Sequence, residues 1–371
     1  MIPVGSRKRI RRVLVVGLLV AGVVGTLVAL GVPKRLLTHF LRLDSDTDPT
    51  LAIVETRGNL ESSRIVLLGE DLQAVSELLL PYASVAPGWQ APYVGDGRMY
   101  VVPAGLDGFR SERTLLEFDY VGGEVIPHTA DRVNLYGVVA TDDYLFACSN
   151  LNFTSYVTRV SKNGLPSREV SLPETHVHSI NLCGDKLCVF AGDLTEGLNR
   201  SDLLVYDLDL NLVASFDLSD YGVDQCRSRV LDGSLWFTSW FDGSEAMNGS
   251  TKVGVFDPSA LTLSQIDFGD PVYDVYPGPY GPLALIGSQV DIDAGRPLRM
   301  RCYTSDLSQV VWEEDVGSVS NACVHDNRVY TLSNWEVVSY EIGPESLSRL
   351  ESLELEPMDD SFSYISSIVS L

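Results

Sequence analysis

The chain has 371 residues, of which 45% are hydrophobic and 21% charged, with a formal net charge of −23. A deficit of cations on this scale excludes nucleic acid as a partner, because phosphate backbones are bound through clustered Lys and Arg. Frequent Gly, Asp and Pro, with no sustained 3.6-residue period after residue 42, exclude a helical domain.

Residues 1–12 are basic, with Arg7, Lys8, Arg9, Arg11 and Arg12. Residues 13–32, from Val13 to Val32, carry no charge and are rich in Val, Leu, Gly and Ala, which is the length and character of a transmembrane helix. Positive charge concentrated ahead of that run places the N-terminus in the cytoplasm and the rest of the chain outside. A cleaved signal peptide would have an apolar core of about 7 to 15 residues and a small-x-small cleavage site. The run here is longer and leads into Gly31-Val-Pro-Lys-Arg35 without such a site. A single-pass, uncleaved anchor in the cell membrane is expected, with a tether over residues 33–49. Eight of the 27 basic residues precede residue 43, leaving 19 against 50 acidic ones and a formal charge of −31. That charge is expected to keep an extracytoplasmic domain soluble, the alternative being attraction of cationic ligands or divalent ions.

From residue 48 onward one pattern recurs: a turn position, two loose residues, then a hydrophobic pair. The copies are Asp48-Pro-Thr-Leu51-Ala52, Asp96-Gly-Arg-Met99-Tyr100, Asp142-Asp-Tyr-Leu145-Phe146 and Gly184-Asp-Lys-Leu187-Cys188. Asp232-Gly-Ser-Leu235-Trp236, Tyr280-Gly-Pro-Leu283-Ala284 and Asp326-Asn-Arg-Val329-Tyr330 complete the set, at spacings of 48, 46, 42, 48, 48 and 46 residues. A repeat of roughly 40 to 50 residues made of short strands is the signature of a β-propeller. If the pattern opens the second strand of each blade, a third strand should follow at similar intervals. It does, at Ile65–Leu68, Leu115–Phe118, Tyr156–Val160, Leu203–Tyr206, Val253–Phe256, Met300–Tyr303 and Val337–Tyr340. Polar turn residues such as Asp207 and Asp257 come next, then a fourth strand, clearest in Leu212–Phe216 and Gln309–Trp312.

The copy at Asp48 has no innermost strand before it, whereas Phe362 to Leu371 form an apolar segment with no blade of their own. The C-terminal segment is expected to pair with Leu51–Thr56 and close the ring. The fold class is therefore all-β, a seven-bladed β-propeller over residues 50–371, preceded by one N-terminal transmembrane helix.

Six cysteines are spread through the strands. If Asp185-Lys186 is a two-residue hairpin loop, Cys183 and Cys188 lie opposite each other and are candidates for a cross-strand disulfide. Cys148, Cys226, Cys302 and Cys323 show no pairing logic and are expected to behave as small hydrophobes. Several second-to-third-strand loops are long: Pro103 to Arg113, Gly192 to Asp202, Ser239 to Thr251 and Gly287 to Leu298. These share one mouth of the ring, where propeller function usually sits. Trp240, Phe241 and Asp242, with Trp335 from another blade, are candidates there, since aromatic faces beside a carboxylate suit a sugar or peptide. The alternative for both Trp residues is packing between blades. His176-Val-His178 sets two imidazoles on one face of an extended segment, a pair that could contact ligand but lacks a third metal ligand. Asp291-Ile-Asp293 lacks the ordered oxygen series of a calcium loop. No G-x-S-x-G elbow, phosphate-cradling Gly loop or H-E-x-x-H occurs.

The repeat resembles the broad superfamily of seven-bladed propellers of the quinoprotein-like or YVTN type, in blade length and in turns such as Val205-Tyr-Asp207-Leu-Asp209. It departs from each named repeat, with no Gly-His to Trp-Asp pair, no Asp-box and no regular Trp docking motif. The resemblance implies a fold and assigns no cofactor. The expected role is a membrane-anchored extracytoplasmic binding scaffold for a protein, peptide or glycan. The rival is an enzyme, a lyase, hydrolase or quinone-dependent dehydrogenase, working in the propeller mouth.

Overall fold

A computed structural model describes residues 23, 32–43, 48–58, 62–86, 90–103, 112–193, 200–241, 247–358 and 363–371. The expected anchor, apart from Val23 and Val32, lies outside these residues, as does Asp242. Among the described residues, no helix is long and apolar enough to cross a membrane.

Among the described residues, twenty-eight strands form seven four-stranded antiparallel sheets, one per blade. The seven recurring turns each lead into a blade's second strand and the second set of landmarks falls in the third strands, so both series mark what their spacing predicts. The Asp-Gly turns work because a two-residue hairpin loop needs positive φ, which Asp232 (49°) and Gly233 (78°) adopt. In the third-to-outer turns the Asp carboxylate caps the bend. Asp207 Oδ1 accepts from the amides of Asp209 (2.9 Å) and Asn211 (2.8 Å).

Burial grades outward from the axis. The second strand Leu51–Arg57 has six consecutive buried residues, whereas the outer strands Arg168–Pro173 and Leu212–Asp217 alternate between exposed and half-buried. A strand between two neighbouring sheets is covered on both faces and reads as a continuous apolar run; an outer strand is not. The core is accordingly divided into layers. Seven clusters of buried side chains occur among the described residues, each joining two adjacent blades, from blades 1 and 2 round to blades 7 and 1.

The last of these layers depends on the C-terminal strand Ser363–Ser370. It pairs antiparallel with Leu51–Arg57 as the inner strand of blade 1, from Leu51 opposite Ser370 to Arg57 opposite Ser363. Ile368 and Val369 are buried on opposite sides of it, one in the layer shared with blade 7 and the other in the layer shared with blade 2.

The cysteine pair requires a correction. Gly184 takes the positive φ (61°), so the loop is Gly184-Asp185, one residue earlier than expected. Cys183 then faces Lys186 and Cys188 faces Asn181. The two thiols are diagonal rather than opposite; both are free and buried in the layer between blades 4 and 5. Burial pushes the Cys183 thiol up to about 11. Cys148, Cys302 and Cys323 also fill interblade layers as small apolar groups.

Ahead of the ring, a short helix, Val32–Thr38, leads into residues 39–43, which run down its side. Thr38 Oγ1 meets Tyr82 OH at 3.0 Å and Lys34 lies 3.9 Å from Glu112, both on connections at the mouth end. Leu43 donates its amide to Gly123 O in a turn at the opposite end (3.0 Å). Leu36, Leu37 and Phe40 remain exposed.

Removing residues 363–371 takes away two large buried side chains and the inner ladder of blade 1. The expected loss is on the order of 3–6 kcal/mol from the side chains alone, measured as the chemical denaturation midpoint. An unchanged midpoint would mean that the segment does not close the ring.

Candidate functional site at the propeller axis

The inner strands line the axis: Ser363–Ser370, Tyr93–Gly95, Leu135–Ala140, Thr175–Cys183, Val223–Leu231, Val272–Tyr276 and Asn321–His325. In five of the seven blades the pairing of inner with second strand slips at a β-bulge. Tyr136, His178, Tyr273 and Ser366 are the extra residues in four blades, and Cys226-Arg227 in the fifth. A bulge re-aims a side chain that regular pleating would hold in place.

At the mouth end, bulged and unbulged side chains of three blades meet. The rings of His176 and His178 are 5.0 Å apart, and Tyr136 of blade 3 stands edge-on to His176 at 5.6 Å. Asn150, also of blade 3, clamps the blade 4 backbone: its Oδ1 accepts from Val177 N and its Nδ2 donates to Val177 O, both at 2.9 Å. The same amide nitrogen lies 3.2 Å from His176 Nε2. Since an amide nitrogen only donates, Nε2 is assigned as acceptor and the ring proton sits on Nδ1, which is buried without a partner among the described residues. Asp224 of blade 5 brings its Oδ1 to 2.9 Å from His178 Nε2. The alignment is too poor for a hydrogen bond, so this contact is one of proximity. Asp224 itself sits at φ 64°, a conformation that few non-Gly residues occupy.

Toward the opposite end the inner strands line a cavity of about 580 Å³. Gln90, just ahead of the blade 2 inner strand, crosses to the next two blades. Its amide donates to Val138 O (3.4 Å) and Ile180 O (2.9 Å) and accepts from Ile180 N (3.1 Å). The crossing requires Gly137, because a Cβ there would lie 1.8 Å from Gln90 Oε1. Arg229 of blade 5 pairs through Nε and Nη2 with the Asp274 carboxylate of blade 6, at 3.2 and 2.8 Å, and lies over the Tyr276 ring at 4.4 Å. Burial alone would lower the guanidinium pKa, but the carboxylate outweighs it and raises the value. Arg227 donates to Tyr273 OH at 3.1 Å.

The sequence-predicted residues fall as follows. His176 and His178 come together, as their spacing implies. Trp240 is half-buried, edge-on to Tyr273 at 6.1 Å, and packs on the layer between blades 6 and 7. Phe241 ends the second strand of blade 5, opposite Val223. Trp335 packs on the layer between blades 7 and 1. The two Trp residues thus join different layers. Asp291, in the first turn of the helix that Ser288 caps, accepts from Ser288 N and Oγ and pairs with Arg296 at 2.6 Å. Asp224, Asn150, Arg229 and Asp274 were not foreseen. Among the described residues, no group of three or more His, Cys, Asp or Glu side chains is placed to hold a metal ion.

No family model and no curated protein matches the sequence. Solved structures do match in fold. A putative 6-phosphogluconolactonase from Bacteroides fragilis superposes with a TM-score of 0.56 at 12% identity, covering 86% of this chain and 98% of that one. AztD from Citrobacter koseri gives 0.51 at 7% identity, covering 87% and 98%. Hydrazine synthase from Kuenenia stuttgartiensis gives 0.51 at 11%, covering 78% and 96%. At such identities the likeness establishes the propeller architecture and nothing finer.

Burial holds the His176 imidazole below the ordinary histidine value; His178 adds to this and Asp224 opposes it. With the folded value depressed, the unfolded chain takes the proton first. The contribution to stability is therefore full above about 6.5 and is lost as pH falls through the folded value. Between pH 7 and 5 the unfolding midpoint of the wild type should fall more steeply than that of His176→Gln. Parallel slopes would show a solvated ring.

Proposed function

We propose that the protein is an extracytoplasmic binding propeller, held at a membrane by its N-terminal run, that takes a protein, peptide or glycan at the mouth. The observation that carries this reading is the meeting of His176, His178, Asp224 and Asn150 from three blades, with His176 Nδ1 left without a partner among the described residues. Buried polar atoms that the fold leaves unmatched are costly to keep and mark places where a ligand can complete the set. Membrane attachment is supported by the uncharged run 13–32 and by the exposed Leu36, Leu37 and Phe40 beside Lys34 and Arg35. Apolar and basic side chains together suit the interface of an anionic bilayer.

The approach of Asp224 to His178 favours a second reading, since a carboxylate beside an imidazole is how a general base is poised. One experiment separates the two. The full chain in detergent micelles is screened on peptide and glycan arrays, and each hit is then incubated with the protein and examined by mass spectrometry. The binding reading expects retention of an unaltered ligand, weakened about tenfold or more in His178→Ala/Asp224→Ala, the scale of a lost charged contact. Conversion of the ligand, abolished by the same change, would establish the enzyme instead. Hits unaffected by the double variant would remove the mouth from consideration. For the anchor, intact mass of protein extracted from membranes should include residues 1–32; a mature species starting near Lys34 would contradict the uncleaved form.

A further inference from the structure

The cavity at the end of the channel away from the mouth has a charge opposite to that of the domain around it. From residue 43 onward the chain carries a formal −31, yet the charged residues lining this cavity, among those described, are Arg227 and Arg229. No carboxylate lines it. Asp274, which neutralises one guanidinium, is set behind Arg229: the Asp274 side chain is 1% exposed and the Arg229 side chain 23%. The acid is thus spent on holding the arginine in place, and the arginine is what the cavity meets. Arg229 is further fixed by the Tyr276 ring beneath it and by Ala322 O of blade 7 at 3.4 Å. A cation held this way loses little freedom when it takes a ligand.

A second, independent observation concerns Asn181, from the blade 4 side of the same cavity. Its Oδ1 accepts from Ser228 Oγ at 3.0 Å, which orients the amide, and its Nδ2 is buried without a hydrogen-bond partner among the described residues. What the wall lacks at this point is an acceptor. A small rotation of the amide would offer that donor to a group in the cavity. The remaining wall mixes apolar surface from Tyr93, Pro277 and Val369 with Ser370. The volume, about 580 Å³, lies within the range of roughly 300–1,000 Å³ usual for small-molecule sites.

We propose that the axial cavity binds a small organic anion whose carboxylate or phosphate oxygens are held by Arg227, Arg229 and the Asn181 amide. The site is separate from the mouth, so either can stand without the other. Inside an acidic domain such a pocket selects strongly: most of the surface repels the ligand, and two arginines accept it where water is partly excluded.

The test is thermal unfolding of the full chain in a neutral detergent, titrated with citrate and with glucose 6-phosphate. Glucose serves as the uncharged control, and sodium chloride at matched ionic strength as the screening control. The expected result is a saturable rise in Tm with at least one of the two anions and with neither control. Apparent affinity should fall at least tenfold in Arg227→Gln. Arg229→Gln/Asp274→Asn, which removes both charges together and leaves no buried acid unpaired, should lose it as well. If that double variant fails to fold, Arg227→Gln alone decides. A response equalled by salt or by glucose, no response to either anion, or an affinity unchanged in Arg227→Gln would overturn the proposal.

Discussion

Everything in this molecule depends on the pairing of Ser363–Ser370 with Leu51–Arg57. A propeller blade is not a stable object alone, since its second and third strands are apolar on both faces and need a neighbour on each side. With seven interblade layers, six can form in any linear stack of seven blades; the seventh exists only when the two ends of the repeat are joined. Here the joint lies inside a blade, across a contact between residues 312 apart in sequence (Ser366 Oγ to Val54 O). Three strands from one end and one from the other complete a single sheet. Both flanking layers then acquire members from both ends, Val369 on one side and Ile368 on the other.

The sheets are irregular at two places, at the axis and at the rim, where the third-to-outer pairing also slips in blades 1, 4, 6 and 7. Between the two, the second strands are pinned by near-continuous burial, as in Leu51–Arg57 and Lys186–Asp193. At the axis, five inner strands carry a bulge, and the residues set there are Tyr136, His178, Arg227, Ser366 and Tyr273, the last packed into the layer between blades 6 and 7. In blades 3, 4 and 5 irregular pairing and polar side chains therefore coincide at the axis, where a bulge frees a side chain from the regular pleat.

The second and third strands were legible because each carries a turn rule and a continuous apolar run. Apart from the C-terminal one, the inner strands were not, for a physical reason: most are bulged and they mix polar with apolar residues, so neither alternation nor continuity marks them. The Cys183–Cys188 register was misread because Gly184, the residue able to take positive φ, starts the loop one position earlier. Trp240 and Trp335 were legible as large aromatics, but composition does not tell whether such a ring faces a ligand or a neighbouring blade. The polar partners missed have a regular signature. Arg229 meets Asp274 at a separation of 45 residues, Ser179 meets Gln225 at 46 and Asn181 meets Ser228 at 47. Each is about one blade length, so complementary polar residues one repeat apart on inner strands are the signal that could have found them, and His178 with Asp224 fits the same rule.

The docking of Val32–Thr38 beside Tyr82 and Glu112 makes the two ends of the ring inequivalent. Under the anchored reading, the chain leaves the ring on the side of the mouth, and the few residues between helix and bilayer hold that side inward. A partner reaching the histidines would then come from molecules confined to the membrane plane, whose encounter frequency depends on surface density rather than bulk concentration. The arginine-lined cavity, at the other end, would sample the open compartment. One tether contact would thus divide a single ring between a two-dimensional and a three-dimensional pool of ligands.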